Sequence, residues 1–328
     1  MTVREKLEDI ASRQDIPGRE AYLVLLERTI TVLEHENRTM RPSDSTGLSG
    51  ALVYLNRDIP TVILPDLHGR GGFFLRVMNA RVTGDATVID SLQAGEIQVL
   101  CLGDGFHSER RGLGRWLRAF DEFAQSYAEH ESMDEEMRES LSLMEMVMEC
   151  KCAFPANFHF LKGNHENVLN EEGNGNHAFR KFTHEGEMVR EYIKKFYGDE
   201  FLDTYAIFEK RLPLFAAGNL FLASHAEPGT FYPEEELIEG RNLPEVVLGL
   251  TWTNNGDSAE GSVRMMLEHY LGKVEGAVYF GGHRPVPGRF LLRADKKYVQ
   301  IHNPDRGNIV VMMPDRPFDP EQDIREIE

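Results

Sequence analysis

The stretch NFHFLKGNHEN, residues 157–167, places a short apolar run directly before a group of polar side chains. A run this short and this rich in aromatic residues predicts a buried strand rather than a helix. Gly163, Asn164 and His165 follow at once and offer an amide oxygen and an imidazole. Because loops at strand ends carry binding and catalytic residues in α/β folds, this segment predicts a functional loop at the edge of a sheet.

Four further segments repeat this arrangement of an apolar run followed by polar residues. They are TVIL (61–64) before PDLHGR, IQVLCL (97–102) before GDGFHSERRG, LFLA (220–223) before SHAEP, and AVYF (277–280) before GGHRP. The candidate metal ligands of these loops, besides Asn164, are Asp66, His68, Asp104, His225 and His283. Carboxylate and amide oxygens suit hard cations such as manganese, whereas imidazole suits zinc and iron, so the set predicts a metal site.

The order of apolar runs along the chain predicts an α/β layered core, since strand patterns alternate with helical ones. Three later runs predict further strands: RFLL (289–292), YVQI (298–301) and NIVVMM (308–313). Residues 1–40 predict two helices, the first opened by a capping box of Thr2 and Glu5. We expect a helical extension at 1–50, a main domain at 51–315 with a helical insertion at about 110–153, and a frayed, solvated acidic tail at 316–328.

Composition narrows the class of function. The formal net charge of -18 disfavours a sequence-independent nucleic-acid binder, because nucleic acid is itself a polyanion. The odd, low count of three cysteines gives no disulfide framework and favours a cytoplasmic location. The charged N-terminus MTVREKLEDIASR is unlike a signal peptide, and no uncharged run approaches the ~20 residues of a membrane helix. We therefore expect neither nucleic acid nor membrane as a partner, and the oligomeric state is not predicted.

The motifs PDLHG, LGDG, FLKGNHE, SHAEP and GGHRP together resemble the calcineurin-like metallophosphoesterases, and most closely their phosphoprotein phosphatase (PPP) branch. That branch has GDxHG, GDxxDRG, LxGNHE and then two single histidines. The resemblance covers roughly residues 60–313, and LKGNHE (161–166) is its most specific part. Other branches end in GHxH; Gly282-His283-Arg284-Pro285 lacks the second histidine, which favours the PPP-like arrangement.

The resemblance implies a four-layer αββα sandwich with added helices and two divalent metal ions, manganese by preference, with iron or zinc as alternatives. The implied ligands are Asp66 and His68 for the first metal, Asp104 as the bridge, and Asn164, His225 and His283 for the second. His165 is the implied general acid, which protonates the leaving oxygen. Two metals about 3.5–4 Å apart neutralise phosphoryl charge and lower the pKa of a bound water, so that hydroxide attacks phosphorus.

The second motif departs from the family pattern. His107 stands where the family has Asp, and we expect it to lie behind the ligands. The phosphate-binding arginine that should follow at once is replaced by two later candidates, Arg110 and Arg111. Arg306 in HNPDRG (302–307) is a third candidate. The carboxylate that orients the acid histidine in the family has no clear counterpart in this sequence.

Five of the histidines outside the motifs are expected at the surface or as hydrogen-bonded core residues: His159, His177, His184, His269 and His302.

The function implied is hydrolysis of phosphomonoesters, with phosphoserine or phosphothreonine in proteins as the leading substrate. A dinucleoside polyphosphate or other nucleotide hydrolase shares the same metal site, and only the glutamate of GNHE leans against it. A catalytically degenerate phosphatase that serves as a scaffold is the third alternative. The altered second motif favours the scaffold, whereas the complete set of ligands argues against it.

Overall fold

The structure, a computed structural model, describes residues 1–272 and 275–327. Its strands are short and mostly buried. They are β1 (Leu52–Tyr54), β2 (Thr61–Leu64), β3 (Gln98–Cys101), β4 (Phe158–Phe160), β5 (Phe215–Ala217), β6 (Phe221–Ser224), β7 (Val278–Gly281), β8 (Leu291–Arg293), β9 (Tyr298–Gln300), β10 (Asn308–Met312) and β11 (Ile324–Glu326).

The helices lie between these strands and at both ends of the chain. They are α1 (Val3–Ser12), α2 (Arg19–Glu34), α3 (Gly71–Asn79), α4 (Val88–Ala94), α5 (Leu113–Ala124), α6 (Glu131–Ala153), α7 (Glu185–Phe196), α8 (Asp199–Arg211), α9 (Glu234–Glu239), α10 (Pro244–Thr251), α11 (Ser262–Leu271) and α12 (Pro320–Asp323). The capping box predicted for α1 is confirmed, since the Thr2 and Glu5 side chains bond reciprocally to the backbone.

The strands form two sheets. One has the order β1-β5-β6-β7-β9-β8 and the other β11-β10-β2-β3-β4. In the second sheet β2, β3 and β4 run parallel, and in the first β6, β7 and β9 run parallel. The carboxyl ends of each parallel set therefore meet at one edge, where the loops that follow can converge.

The two sheets pack face to face, as the alternation of side chains along each strand requires. Ile63 of β2 and Val310 of β10 join residues of the other sheet, such as Ala223 and Phe280, in a core between the sheets. Side chains of opposite parity, such as Val62, face the helices instead.

Helices cover both outer faces. Helices α1 to α8 contribute to the core on the five-stranded sheet, while α9, α10 and α11 pack on the six-stranded sheet. The result is an αββα sandwich with added helices, which confirms the fold class predicted from the sequence. The segment expected to be helical at about 110–153 contains α5 and α6.

Each apolar run predicted as a strand overlaps one, but β1, β5 and β11 were not predicted. Strands β1 and β5 escape detection because each has only three residues, and β5 has two alanines in place of β-branched side chains.

The expectation of a frayed, solvated tail at 316–328 is wrong for the residues described. The segment forms α12 and then β11, which pairs antiparallel with β10 through Ile324↔Val310. Ile324 is buried between the sheets, and Arg316 pairs with Asp323. An acidic composition did not prevent ordering, because one well-placed isoleucine and a backbone ladder hold the strand.

Helices α1 and α2 pack into the main helical layer rather than standing apart. Leu7 and Leu26 are fully buried, and the Tyr22 hydroxyl donates to the Leu141 carbonyl of α6 at 3.1 Å. Among residues 1–272 and 275–327, no helix combines the length and apolar character needed to span a bilayer.

Candidate metal centre

Six loops converge at the carboxyl ends of the parallel strands. Asp66 and His68 follow β2, Asp104 follows β3, Asn164 and His165 follow β4, His225 follows β6, His283 follows β7 and His302 follows β9. The structure thus brings together every metal ligand predicted from the sequence and adds His302, which was not predicted.

Asp104 lies at the middle of this cluster and is buried. Its Oδ2 is 3.4 Å from His225 Nε2 and 3.6 Å from His68 Nε2, which belong to the two predicted ligand groups. Its Oδ1 accepts the His165 backbone N–H at 2.9 Å, which fixes the carboxylate plane. One carboxylate therefore faces both groups, the arrangement needed of a bridging ligand.

The second ligand group contains acceptors that face one another. Asn164 Oδ1 is 2.9 Å from His225 Nε2 and 3.0 Å from His283 Nδ1. His225 Nδ1 lies 2.9 Å from the Leu102 carbonyl oxygen, which can only accept, so Nδ1 carries the hydrogen of the neutral ring. Its Nε2 then presents a lone pair to Asn164 and Asp104, as expected of a metal ligand oriented by its other nitrogen.

The first ligand group shows the same orientation. His68 Nδ1 lies 3.1 Å from the Phe106 carbonyl, so His68 Nε2 presents its lone pair to the centre. Asp66 Oδ2 accepts the His283 N–H at 2.9 Å, whereas the buried Asp66 Oδ1 has no hydrogen-bond partner. The ligand atoms of Asp66, His68 and His302 lie within 4.8 Å of one another, as do those of Asp66, Asp104 and His225.

Several residues in these loops, including candidate ligands, have a strained backbone conformation. His68, Asp104, His107, Glu109 and His283 all have positive φ, between 44° and 78°. Such conformations cost about 1–3 kcal/mol each for side chains other than glycine and persist where function requires them. The strained positions therefore cluster in the loops that carry the candidate ligands.

Two glycines permit close approach at the ligands. A Cβ on Gly163 would collide with Asp104 Oδ1, and one on Gly282 would collide with Asp66 Oδ1. The glycine preceding Asn164 and the glycine preceding His283 therefore let each loop pass beside a carboxylate.

Glu166, the last residue of the GNHE segment, fixes the bridging loop. Its carboxylate accepts the N–H groups of Asp104 at 3.0 Å, Gly105 at 2.7 Å and Gly163 at 2.6 Å. Three backbone donors on one buried carboxylate lock the loop after β3 to the loop after β4. The sequence marked this glutamate only as part of a motif, and its positioning role was missed.

The pKa values of the buried groups in the centre indicate a site that a cation would stabilise. Burial raises the pKa of Asp104 well above its ordinary value, and the carboxylates of Asp66 and Glu166 raise it further. Burial lowers the pKa of His68 and of His283 to about 3, so both rings are neutral and offer lone pairs. A divalent cation would reverse the Asp104 shift, because it stabilises the ionised carboxylate.

The donor set fits two divalent cations. Buried acceptors without partners include Asp66 Oδ1, and unpartnered ring nitrogens include His283 Nε2 and His302 Nδ1. Lone pairs that converge without a donor are unfavourable in a buried site unless a cation lies among them. The mixture of carboxylate, amide and imidazole groups is compatible with manganese, iron or zinc.

His165 lies beside the ligands rather than among them. Its Nε2 is 3.9 Å from Asp104 Oδ2, and its side chain is 12% exposed, so it reaches the mouth of the site. Its Nδ1 is buried without a partner. Burial lowers the pKa of His165 well below its usual value, and His68 and His107 add to the effect.

His107 lies directly behind His165, with ring centroids 5.2 Å apart. Its Nδ1 accepts the Glu109 N–H at 3.0 Å, so its Nε2 carries the hydrogen and lies 3.7 Å from Glu185 Oε1. Trp116 of α5 stacks on the ring at 4.8 Å. Glu185, at the start of α7, is therefore a buried carboxylate behind His107 and His165, and the sequence did not predict it.

The predicted phosphate-binding arginines differ in what they contact. Arg110 is exposed, and its side chain makes no hydrogen bond or ion pair with any residue in 1–272 or 275–327. Arg111 pairs with Glu139 at 2.5 Å and donates to the His68 carbonyl at 3.0 Å. Arg306 pairs with Glu326 of β11 at 2.8 Å, which turns its guanidinium toward the sheet edge.

The five histidines named above differ in position. His177, His184 and His269 are exposed and His159 is buried beneath the Ala156 carbonyl, as expected. His302 is also a buried, hydrogen-bonded histidine, through Nε2 to Glu109, but the loop after β9 brings it to the first ligand group as well, which was not predicted.

Comparisons with known proteins support the fold. No family model matches the chain, and no curated protein matches it. Among solved structures, a protein serine/threonine phosphatase from Saccharomyces cerevisiae with similarity to human phosphatase PP5 matches with a TM-score of 0.58 at 14% identity, over 95% of this chain and 90% of that chain. A cold-active protein-tyrosine phosphatase of a psychrophile Shewanella matches with a TM-score of 0.48 at 13% identity, over 85% and 82%, and adds nothing to the assignment.

The chain therefore shares the fold of this serine/threonine phosphatase. At 14% identity the likeness establishes the architecture alone.

Proposed function

We propose that this chain is a binuclear-metal phosphoesterase that hydrolyses phosphomonoesters. The observation that carries the proposal is the buried carboxylate of Asp104, which faces the Asn164–His225 pair on one side and His68 on the other. Asp104 Oδ2 and the Nε2 atoms of His68 and His225 are acceptors that converge in a buried site, an arrangement that suits cations. The shared fold with a serine/threonine phosphatase agrees with this chemistry.

Metal binding and proton donation are assigned to different residues. Two divalent cations, when bound, would neutralise charge on the phosphoryl group and activate a water molecule as nucleophile. Asp66, His68, Asp104, Asn164, His225 and His283 would hold them. As water adds to phosphorus, the phosphorus–oxygen ester bond breaks, and His165 donates a proton to the departing oxygen, which gives an alcohol and inorganic phosphate.

His165 needs a proton at neutral pH for this role, although burial lowers its pKa in the free protein. A phosphate dianion in the site opposes that shift, because an opposite charge favours the protonated ring. The His107–Glu185 pair behind His165 would hold the ring in position.

Arg110 is our choice for the phosphate contact. It follows Glu109, whose carboxylate is 3.6 Å from His68 Nε2, and it makes no described side-chain contact that would compete. Arg111 and Arg306 are already paired with Glu139 and Glu326.

The substrate and the metal are also proposed. Phosphoserine or phosphothreonine in proteins is the proposed substrate, supported by the fold shared with a serine/threonine phosphatase. Manganese is the proposed metal, and a cytoplasmic location and the absence of nucleic-acid or membrane partners stay predictions.

A substrate panel tests the activity. Purified protein with manganese added should hydrolyse a phosphoserine peptide and p-nitrophenyl phosphate faster than diadenosine tetraphosphate, and elemental analysis should find two metal ions per chain. Preference for the dinucleotide would overturn the monoesterase assignment. No hydrolysis of any substrate with both metals bound would favour the scaffold.

The role of His165 is tested by the leaving group. His165→Ala should reduce kcat on the phosphoserine peptide about 10²–10⁴-fold, because an alkoxide needs a proton to leave. The loss on p-nitrophenyl phosphate should be much smaller, since nitrophenolate leaves without one. His177→Ala, at a ring 55% exposed, is the control. Equal losses on both substrates would exclude His165 as the acid.

A further inference from the structure

His302 is buried in the centre without a role in the mechanism above. It follows β9, is fully inaccessible to solvent, and its ring lies 5.3 Å from that of His68. Its Nδ1 has no hydrogen-bond partner and lies 3.9 Å from Asp66 Oδ2.

Glu109 determines which nitrogen of His302 carries the hydrogen. The Glu109 carboxylate lies 3.2 Å from His302 Nε2, and Lys181 Nζ lies 2.8 Å from the other oxygen of that carboxylate. An ionised carboxylate can only accept, so Nε2 donates; in the neutral imidazole that binds a metal, the lone pair is then on Nδ1 and faces Asp66. Carboxylates hold metal-binding histidines in this way in many proteins.

The backbone around His302 is fixed as firmly as its ring. The Val286 N–H donates to the His302 carbonyl at 2.8 Å. Arg70 donates to the Asp66 carbonyl at 2.6 Å and to the Arg306 carbonyl at 3.0 Å, which ties the loop after β2 to the loop after β9. His302 is therefore held against Asp66 before any ligand arrives.

A purely structural histidine does not account for this geometry. Buried polar atoms nearly always have a partner, yet Nδ1 has none and faces the carboxylate of Asp66, which is also an acceptor. Glu109 is held at a φ of 53°, a strained conformation that a space-filling role would not require. Two acceptors that face each other in a buried site are stabilised by a cation between them.

We propose that His302 is a further protein ligand of the first metal, alongside Asp66, His68 and Asp104, and that Glu109 orients it. The inference rests on the metal centre of the proposed function. It makes the first site richer in nitrogen than the sequence motifs indicate, with two imidazoles and two carboxylates. Such a site should bind zinc, iron or cobalt more tightly, relative to manganese, than a site with one imidazole would.

Metal titration tests the ligand directly. Protein stripped with a chelator and titrated with Co²⁺ should bind two ions per chain, and His302→Ala should bind one of them at least about 10-fold more weakly. The loss should be smaller for Mn²⁺ than for Co²⁺. Glu109→Gln, which no longer fixes the tautomer, should weaken the same ion about 10–100-fold. His177→Ala is the control for loss of an exposed ring.

A second variant keeps the test independent of any folding defect in His302→Ala. His302→Cys should place a thiolate on the ion, and the Co²⁺ form should show a thiolate-to-cobalt charge-transfer band absent from the wild type, whose three cysteines lie outside the centre. Two Co²⁺ ions bound to His302→Cys without that band, or wild-type affinities in His302→Ala, would overturn the proposal.

These readouts separate the inference from the proposed activity. Metal binding that depends on His302 in a protein with no hydrolysis would retain the ligand and refute the function. Hydrolysis of monoesters with metal affinities unaffected by His302→Ala would retain the function and refute the ligand.

Discussion

Two buried clusters of charged and polar residues lie near opposite ends of β4 and differ in how their atoms are satisfied. The metal centre follows the carboxyl end of the strand. The second, which we call the buried ion cluster, comprises Glu36, Arg41 and Lys151 and contacts the strand where it begins, through the Phe158 carbonyl. Both are almost fully buried.

In the buried ion cluster every charge has a partner. Lys151 Nζ contacts Glu36 at 2.5 Å and the Pro155 carbonyl at 2.8 Å, and Arg41 bonds to Glu36 and to the Gly50 and Arg211 carbonyls. In the metal centre Asp66, His165, His283 and His302 each keep a buried atom without a partner. The buried ion cluster thus satisfies its charges within the protein, whereas the metal centre leaves several converging buried atoms without a protein partner, as a cation site requires.

Asp104→Asn should give the largest effect in the metal centre. Loss of the bridging charge should weaken both metals and lower the hydrolysis rate at least about 1,000-fold, or about 4 kcal/mol. The metal-free variant should be more stable than metal-free wild type, because the crowding of Asp104 with Asp66 and Glu166 is relieved. Rate measurements at saturating manganese and thermal melts with chelator check the two parts. A metal-free variant less stable than wild type would mean that Asp104 is a structural residue.

Glu36→Gln should have the opposite profile. Two cations would remain buried without their anion, so the free energy of unfolding should fall by about 3–5 kcal/mol, while kcat at low temperature stays near wild type. Denaturant titration measures the loss. Glu268→Gln, in an exposed ion pair with Arg264, is the matched control and should cost less than about 1 kcal/mol. Equal losses in the two variants would refute the distinction between the clusters.

The pH dependence of stability sharpens the same comparison. Burial would raise the pKa of Glu36, but the charges of Lys151 and Arg41, with His159, lower it to about 2. A carboxyl whose folded pKa lies below its ordinary value of 4.5 contributes stability above that value and loses it as pH falls toward about 2. The stability difference between wild type and Glu36→Gln should therefore shrink across that window. A stability difference that stays constant with pH would show that the ion pairs of Glu36 do not cause it.

Glu166→Gln should have an intermediate effect on the metal centre. The amide has one acceptor oxygen in place of two, so one of the three N–H groups of Asp104, Gly105 and Gly163 would lose its partner. Displacement of the bridging loop should weaken metal binding about 10–100-fold, as measured by titration. Glu172→Gln, at an exposed carboxylate, should leave affinity unchanged. Unchanged affinity in Glu166→Gln would show that the loop holds its shape without that carboxylate.

The sequence predicted the layered fold, and it singled out the six residues proposed as ligands because they lie in short local patterns at strand ends. His302 satisfies the same rule, since it directly follows YVQI of β9, but the family pattern ends at His283 and gave no reason to continue. Glu109 and Glu185 were missed for a different reason. Their roles depend on contacts between loops distant in the chain, and no spacing in the sequence encodes which side chain will lie behind a histidine.

Substitution of the arginines should give the smallest effects. It compares one arginine proposed to contact phosphate with another that forms an ion pair within the protein. Arg110→Ala should raise KM about 10-fold with little change in stability, because one charge-assisted bond to phosphate is lost and no described partner is left behind. Arg306→Ala should break an exposed pair with Glu326, costing less than about 1 kcal/mol of stability, and should leave KM within about two-fold of wild type. Steady-state kinetics on p-nitrophenyl phosphate, with Arg264→Ala as a remote surface control, resolve the two. A larger KM effect from Arg306 than from Arg110 would move the phosphate contact to the loop after β9, and would mean that Arg306 leaves Glu326 when substrate binds.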